Sequence, residues 1–290
     1  MPGDHWRGVV SNSTSIDACC PDCLGGGCST STFRNLECPR YPALSSILCN
    51  QNLFTCAGVH LYLPPPSAED LRAMYKLYAG QSKLTFSHPR VKMQSEMIRQ
   101  TLVLKPAMTS GLSITEIGCA GGELLARLAW DLPVSNLICF EADDKQHALA
   151  FRTIERYRKA NSTHTFKLIK SAFDASVVTP QSVDLLASSH VVEHMHKPCE
   201  WLAGVRHMLR PGGYVFTELP WQEHQPFQKA LVGQFHAAFY NSTTFNRMMA
   251  HNGFRLVLGR SSTYSTTSRK IERKTGIPAA FLHVHQLLNA

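Results

Sequence analysis

The residues with the clearest chemical potential in this 290-residue chain form a turn of small side chains, Gly118 to Gly122. A predicted strand runs into this turn and a predicted helix leaves it at Glu123. Such a turn lets the backbone approach a ligand closely and presents free N–H groups to an anionic group such as a carboxylate. Glu141 ends the next predicted strand, 23 residues after Gly118, where an acidic side chain can accept hydrogen bonds from both ribose hydroxyls. Together the two features indicate an adenosine-containing cofactor, with a purely structural turn as the alternative.

A nicotinamide dinucleotide site is the competing interpretation of the same turn. Its fingerprint is Gly-x-Gly-x-x-Gly, whereas Ala120 stands here at the second glycine and Glu123 at the last. The sequence therefore disfavours a pyrophosphate site.

With its neighbours, the turn resembles the first motif of class I S-adenosylmethionine-dependent methyltransferases, acidic-x-Gly-x-Gly-x-Gly. That motif runs here from Glu116 to Gly122, and Ala120 departs from it at the middle glycine. Three later segments are similar to family segments in the same order. They are the fourth-strand segment 183–194, the turn into the fifth strand at 209–215, and 236–254, where a His, an aromatic pair and a helix precede Gly-Phe.

This resemblance implies that Gly118 to Gly122 wrap the amino-acid end of S-adenosylmethionine and that Glu141 holds its ribose. Ala172 or Phe173 would border the adenine, although a buried core aromatic is the competing interpretation for Phe173. Ser189 and His190 would lie beside the methyl donor. The implied cofactor contacts are Glu116, Gly118, Cys119, Ala120, Gly122, Glu141, Ala142, Phe173, Ser189 and His190.

Cysteine is concentrated near the N-terminus, with seven of the ten cysteines in the first 56 residues. Because no secretory signal precedes them, a thiolate metal site is favoured over a disulfide framework. Cys20-Pro21-Asp22-Cys23 is a Cys-x-x-Cys knuckle, which binds zinc through two thiolates.

The methyltransferase subgroup resembled here carries an N-terminal zinc ribbon, which implies that Cys56 is the fourth ligand. Leu53 stands where the third ligand is expected, so Cys49 or Cys38 would have to replace it. A ribbon that has lost its metal is the alternative. The predicted zinc ligands are Cys20, Cys23, Cys49 and Cys56.

Methyl transfer from a sulfonium is an in-line displacement, so the enzyme mainly has to hold the acceptor at near-attack distance. A carbon or hydroxyl acceptor also needs a base. Among His190, His194, His224 and His236, we take His224 as the first candidate base because it lies beyond the carboxyl end of the predicted fifth strand. His194 is the second candidate, with packing of its loop as the competing role for His194 and His190.

Composition and periodicity predict the elements that position these residues. Apolar residues make up 44% of the chain and charged residues 17%, which excludes the disordered, collagen-like and coiled-coil classes. No apolar run is long enough for a membrane helix, so we expect a soluble, cytoplasmic protein. The formal net charge is +8, and its densest stretch is 255–274. A solvated surface is favoured there over a nucleic-acid site, because no aromatic stacking pattern accompanies the charge.

The chain is predicted to consist of a cysteine-rich head, 1–66, a helical connector, 67–110, and an S-adenosylmethionine-binding domain, 111–290. In the last of these, strand-length apolar runs alternate with amphipathic helices, which predicts a Rossmann-like α/β methyltransferase fold, a parallel sheet with helices on both faces. The predicted strands are 113–117, 137–141, 166–169, 183–187, 214–219, 254–258 and 281–285. The predicted helices are 123–130, 144–159, one around 201–209 that is stopped by Arg210-Pro211-Gly212-Gly213, and 243–252, which ends at Gly253.

These predictions lead to S-adenosylmethionine-dependent methyl transfer to oxygen, carbon or nitrogen of a small molecule, with a sugar-like acceptor suggested by the zinc-ribbon resemblance. One alternative is a binding protein that keeps the fold without turnover. Another is a nucleic-acid or protein methyltransferase that uses the head and the basic stretch 255–274. The sequence predicts no oligomeric state.

Overall fold

The structure is a computed structural model, and it describes most of the chain after residue 84 together with three short strands before it. For those three strands the backbone is described and, of the side chains, that of Val59. The described ranges are 28–33, 52–56, 59–63, 84–102, 111–158, 163–195, 197–220, 236–262 and 280–288.

The described residues form eleven strands and five α-helices, labelled here in chain order. The strands are β1 (Cys28–Phe33), β2 (Asn52–Cys56), β3 (Val59–Leu63), β4 (Leu112–Ile117), β5 (Val134–Phe140), β6 (Thr165–Ile169), β7 (Val183–Ser189), β8 (Leu209–Pro220), β9 (Ala238–Phe239), β10 (Phe254–Ser262) and β11 (Ala280–Leu287). The helices are α1 (Pro89–Leu102), α2 (Glu123–Asp131), α3 (Asp144–Arg156), α4 (Pro198–Met208) and α5 (Ser242–His251).

A seven-stranded sheet with the order β10-β11-β8-β7-β4-β5-β6 forms the centre of the fold. Strands β6, β5, β4, β7 and β8 are parallel, whereas β11 is antiparallel to both of its neighbours. The prediction of a parallel sheet was therefore wrong at this end, and the sheet is mixed. β10 and β11 are consecutive in the chain and pair antiparallel, which needs no crossover connection between them. β11 is buried along nearly its whole length and lies between β8 and β10, while β10 is mostly exposed and forms the edge.

Helices cover both faces of this sheet, as predicted. Residues of α1, α2 and α3 pack in one hydrophobic cluster. Residues of α4 and α5 pack in a second cluster that includes the largest buried side chain, Trp201. Each cluster joins its helices to residues of the sheet strands, which makes the sheet the middle layer of three.

The ends of the helices follow local signals in the sequence. Asp143 accepts hydrogen bonds from the N–H groups of Lys145 and Gln146 and so caps α3. Gly253 has φ +83° directly after α5, as the left-handed turn predicted there requires. The predicted stop at Arg210 to Gly213 was placed too late, because α4 ends at Met208 and those residues already belong to β8.

A second, antiparallel sheet has the order β1-β2-β3-β9. Its first three strands lie in the predicted head, whereas β9 lies about 175 residues later in the chain, between β8 and α5. His60 pairs with Phe239 and Leu61 with Ala238. The head is therefore joined to the later domain by backbone pairing. Within the described residues, the helices are too short or too polar to cross a membrane.

Candidate active site

The turn after β4 adopts left-handed backbone conformations at three of its residues. The φ angles are +67° at Gly118, +47° at Ala120 and +78° at Gly122. The N–H of Gly118 donates to Phe140 O at 2.8 Å, and that of Gly122 donates to Cys119 O at 2.8 Å. The predicted small-residue turn therefore leads directly into α2.

Ala120 carries a Cβ in a conformation that glycine adopts at no steric cost. A left-handed conformation costs a non-glycine residue roughly 1–2 kcal/mol, part of which glycine's greater freedom in the unfolded chain offsets. We expect Ala120→Gly to increase the free energy of unfolding by up to about 1 kcal/mol in chemical denaturation. Ala148→Gly, an exposed position inside α3, should instead lower it by about 1 kcal/mol. Equal losses in both variants would contradict the assignment of strain to Ala120.

The turn is closely packed against the loop that follows β7. A Cβ added at Gly118 would lie 2.5 Å from Cγ2 of Val191, and one at Gly122 would lie 3.0 Å from Cα of Ala150. The first contact is shorter than real Cβ atoms show, and the second is tight against the backbone of α3. The two glycines are thus required by packing as well as by φ, and the loops after β4 and β7 meet at one place.

This meeting point is the position where the strand order of the sheet reverses. From β4 the chain proceeds outward through β5 and β6, then returns to β7 on the other side of β4. Ile117 at the end of β4 pairs with Ser188 near the end of β7. Open α/β sheets bind ligands in the crevice outside the carboxyl ends of strands at such a point.

Glu141 follows β5 and contacts the turn directly. Its Oε2 accepts a hydrogen bond from the N–H of Ala120 at 2.9 Å, and its Oε1 accepts one from the N–H of Asp143 at 2.8 Å. Burial raises the pKa of the Glu141 carboxyl, while these backbone hydrogen bonds oppose the rise. The carboxyl group retains lone pairs for further donors, which is compatible with the ribose role predicted for it.

Glu116 lies beneath the turn in β4 and is buried. Its Oε2 has no hydrogen-bond partner among the described residues. Burial, and next the carboxylate of Glu123, raise the pKa of Glu116 well above its usual range. A buried oxygen without a partner is costly unless a donor binds it, so this position suits a ligand that brings a positive or N–H group.

The predicted contacts Cys119, Ala142 and Phe173 differ in their surroundings. Cys119 is buried and disulfide-bonded to Cys139 of β5, with a Cα–Cα distance of 5.9 Å, so its Sγ is already engaged. Ala142 is exposed. Phe173 packs edge-on against Phe140, 5.7 Å between ring centroids, and lies next to Gly204 of α4. Those contacts are typical of a core aromatic, and the adenine role of Phe173 stays a prediction.

On the other side of the reversal point, Ser189 belongs to a buried polar network at the ends of β7 and β8. Its Oγ donates to Glu218 Oε2 at 2.8 Å. Arg90 of α1 donates from Nε and Nη2 to the same carboxylate at 3.0 and 2.9 Å, and Gln94 Nε2 also donates to it. Burial would raise the pKa of Glu218, but the charge of Arg90 keeps it below its usual value. The ion pair of Arg90 and Glu218 thus lies at the wall of the crevice.

Histidines surround a second buried carboxylate, Glu193, in the short 3-10 turn Val192–His194. His190 Nδ1 lies 3.2 Å and His194 Nε2 lies 3.9 Å from Glu193 Oε1. The ring centroids of His194 and His236 are 5.1 Å apart. Burial lowers the pKa of His236 to about 3, so its ring is neutral at physiological pH. The arrangement is able to hold and move a proton.

Several predicted residues lie outside the described residues. They include the candidate base His224 and the candidate zinc ligands Cys20, Cys23 and Cys49. Cys56 lies in β2, where the structure describes its backbone. From the basic stretch, Arg255 donates to Gln286 and Arg260 to Gln100. The zinc site and the catalytic role of His224 remain predictions.

Sequence reasoning missed three charged residues of the site, namely Arg90, Glu193 and Glu218. Glu193 and Glu218 interrupt apolar runs, Val191-Val192 and Val215-Phe216, which is an available signal because a buried carboxylate needs a partner. Arg90 offered no such signal. It lies in the segment interpreted as a connector, 128 residues before its partner.

Comparison with known proteins is consistent with this geometry. Residues 90–258, more than half of the chain, match a family model described as a methyltransferase domain. A ubiquinone biosynthesis O-methyltransferase of Roseobacter denitrificans is 26% identical over 134 residues, which is 45% of this chain and 50% of that protein. One from Thiobacillus denitrificans is 26% identical over 128 residues, 44% and 52%. The chain thus matches about half the length of these curated relatives.

Solved structures share the fold at low sequence identity. The [4+2]-cyclase SpnF superposes with a TM-score of 0.57 and 12% identity, covering 78% of this chain and 98% of that one. Phosphoethanolamine N-methyltransferase 2 of Haemonchus contortus, solved with S-adenosyl-L-methionine, gives a TM-score of 0.54 and 12% identity over 77% and 58%. Since a cyclase and an N-methyltransferase share this fold, the acceptor must be argued from the site.

Proposed function

This chain belongs to the methyltransferase domain family, and from that premise we propose that it is an S-adenosylmethionine-dependent methyltransferase that methylates a hydroxyl oxygen of a small molecule. The observation that carries the proposal is the tight turn Gly118 to Gly122 at the reversal point of the sheet. Glu116 precedes this turn in β4, and Glu141 accepts a hydrogen bond from it.

The residues of the crevice fit the cofactor. The turn leaves no room for a Cβ at Gly118 or Gly122, and the unpartnered Glu116 oxygen beneath it suits the ammonium group of the amino-acid end. Glu141 would accept the ribose hydroxyls. When bound, S-adenosylmethionine supplies an electrophilic methyl group on a sulfonium. The chain's own part is to bind, to orient the acceptor and to remove a proton.

Oxygen is favoured as the acceptor atom for two reasons. The curated relatives are named as O-methyltransferases, and the crevice holds polar groups suited to a hydroxyl, namely Ser189 and His190 beside the Arg90–Glu218 pair. A nucleic-acid acceptor is less well supported, because Arg255 and Arg260 of the basic stretch are hydrogen-bonded within the fold. A small phenol, catechol or alcohol is the acceptor class we infer.

Two measurements test the proposal on the full chain. Calorimetric titration with S-adenosylmethionine should show binding, and incubation with 3,4-dihydroxybenzoate should yield S-adenosylhomocysteine and a methyl ether by mass spectrometry. Absence of binding at millimolar cofactor would refute the cofactor assignment. Binding with methylation of an amine probe such as ethanolamine, and none of the catechol, would refute the oxygen acceptor.

We expect Glu141→Ala to weaken S-adenosylmethionine binding about 100-fold, because two hydrogen bonds from ribose to a carboxylate would be lost. Isothermal titration calorimetry measures the change. Glu155→Ala removes an exposed carboxylate of α3 that pairs with Arg158 and should leave the affinity unchanged. Equal affinities for wild type and Glu141→Ala would show that the ribose is held elsewhere.

A further inference from the structure

His190 occupies a position in the crevice that packing alone does not explain. It is the first residue after β7, next to Val191, which contacts the turn at Gly118. Its φ is +55°, and its N–H donates to Glu218 O at 2.9 Å. A left-handed histidine is uncommon, and such conformations cluster at functional sites. The backbone thus holds this imidazole between the turn Gly118 to Gly122 and the polar network of Ser189 and Glu218.

Glu193 lies close enough to the His190 ring to orient it, and within the described residues both of its carboxylate oxygens lack a hydrogen-bond partner. The side chain of Glu193 is completely buried, and its Oε1 lies 3.2 Å from Nδ1 of His190, one 3-10 turn earlier. The backbone of Glu193 is fixed as well, because its carbonyl accepts the N–H of Ala237 at 2.7 Å. Burial would raise the pKa of Glu193, but its histidine neighbours, His190 first, lower it to about 2. The group is therefore a carboxylate across the physiological range.

Exposure distinguishes His190 from the other two histidines around this carboxylate. The side chain of His190 is 27% exposed, that of His194 is 9% exposed, and His236 is 3% exposed as a residue. A proton acceptor must reach both its substrate and, afterwards, solvent. Among the three, His190 meets that requirement best.

We propose that His190 is the catalytic base of this methyltransferase and that Glu193 is its positioning residue, an inference that rests on the proposed transfer to oxygen. In this dyad a small rotation aligns the Nδ1–H group of His190 with Oε1 of Glu193, 3.2 Å away, and leaves the lone pair of Nε2 for the acceptor hydroxyl. Nε2 takes the hydroxyl proton while the oxygen lone pair forms the bond to the methyl carbon. The methyl–sulfur bond breaks with its electron pair remaining on sulfur, and the imidazolium then releases its proton to solvent.

Charged and titratable groups from four parts of the fold lie around His190 and Glu193. Glu193 and His194 come from the 3-10 turn, and Glu218 from β8 has Arg90 of α1 as its partner. His236 precedes β9. His190 thus lies between the carboxylate of Glu193 and the Arg90–Glu218 pair, and its own N–H donates to the Glu218 carbonyl.

The first test is the tautomer of His190, read by ¹⁵N–¹H NMR on the full chain labelled at histidine. The signal is identified by its loss in His190→Asn, because Asn tolerates the left-handed backbone and should preserve the fold. We expect the Nδ1–H tautomer in the wild type and its loss in Glu193→Gln. A wild-type ring protonated at Nε2 alone would overturn the proposal.

The second test is kinetic, with 3,4-dihydroxybenzoate as the probe. We expect His190→Asn to lower kcat about 100-fold and Glu193→Gln about 10-fold, with S-adenosylmethionine affinity unchanged in Glu193→Gln. The rise of kcat/KM with pH should disappear in His190→Asn. His207→Asn changes an exposed histidine of α4 and should leave kcat as in the wild type.

The outcomes separate this inference from the proposed function. Unchanged kcat in His190→Asn would overturn the dyad while leaving the methyltransferase assignment intact. Cofactor binding without methylation of the catechol would count against the oxygen acceptor, and the tautomer would still decide the dyad. If the purified protein contained stoichiometric metal and Glu193→Gln lost it, Glu193 would be a ligand of a cation, and the proposal would be overturned.

Discussion

Arg90→Met is expected to destabilise the protein by about 3–5 kcal/mol, the cost typical of removing one partner from a buried ion pair. Glu218 is completely buried, and Arg90 provides three charged hydrogen bonds to its carboxylate, two from Nε and one from Nη2. Ser189 and Gln94 still donate to Glu218 in the variant, but neither carries a charge. Chemical denaturation at neutral pH measures the change in the free energy of unfolding.

The same helix supplies a matched control. Arg99 pairs with Glu96 on the exposed face of α1, and such surface pairs contribute about 0–1 kcal/mol. Arg99→Met should therefore be nearly neutral. The double variant Arg90→Met with Glu218→Gln should recover most of the stability, because no buried charge is left unpaired. If Arg90→Met costs no more than Arg99→Met, the pair does not stabilise the fold.

Acidification is expected to destabilise the protein strongly through three buried histidines. Burial lowers the pKa of His236 and His285 to about 3 and that of His283 to about 4, against an ordinary value of 6.5. Below pH 6.5 the unfolded chain binds protons that the folded chain does not, so the free energy of unfolding decreases as the pH is lowered. At pH 5 each histidine contributes a loss of about 2 kcal/mol, or about 6 kcal/mol together.

The local contacts explain why these rings resist protonation. His285 Nε2 lies 3.2 Å from Asn246 Oδ1, and His283 Nε2 lies 2.9 Å from Ser242 Oγ. Within the part of the chain that the structure describes, Nδ1 of both rings has no hydrogen-bond partner. A second proton would thus be buried without an acceptor. The raised pKa of Glu116 acts in the opposite direction, because its folded form takes up a proton before the unfolded chain does.

One substitution isolates the histidine contribution from this opposing one. His285→Gln removes the titration and keeps a side chain able to hydrogen-bond Asn246. Between pH 7 and pH 5, its free energy of unfolding should fall by about 2 kcal/mol less than that of the wild type. His251→Gln, an exposed position at the end of α5, should follow the wild type. Parallel pH profiles for wild type and His285→Gln would refute the buried neutral imidazole.

Local features of the fold could be predicted from the sequence. The strands and helices around the turn Gly118 to Gly122 were predicted to within a few residues, because apolar periodicity and glycine act over short distances. The direction of β11 could not be predicted. An apolar run such as 281–285 shows that a strand is buried, but it contains no information on which neighbour it pairs with or in which sense.

The candidate site divides in the same way. The closeness of Glu141 to the turn could be predicted, because its position at the end of β5 brings it beside the turn that follows the neighbouring strand β4. Arg90 and Glu218 meet across 128 residues, and the role of Glu193 depends on which histidine ring happens to face it. Such contacts arise from tertiary packing, which a single sequence does not encode in any local pattern.

The pairing of β3 with β9 has a consequence for how the chain can be divided. Although the predicted boundary after residue 66 suggests a place to cut, removing residues 1–66 would remove the strand β3 that pairs with β9 and leave an open strand edge. That edge begins one residue after Ala237, whose N–H holds the backbone of Glu193. A shortened protein would therefore tend to self-associate, and the loss of β3 would act on the backbone of Glu193 through main-chain hydrogen bonds alone. The head and the later domain are therefore better expressed together than as separate fragments.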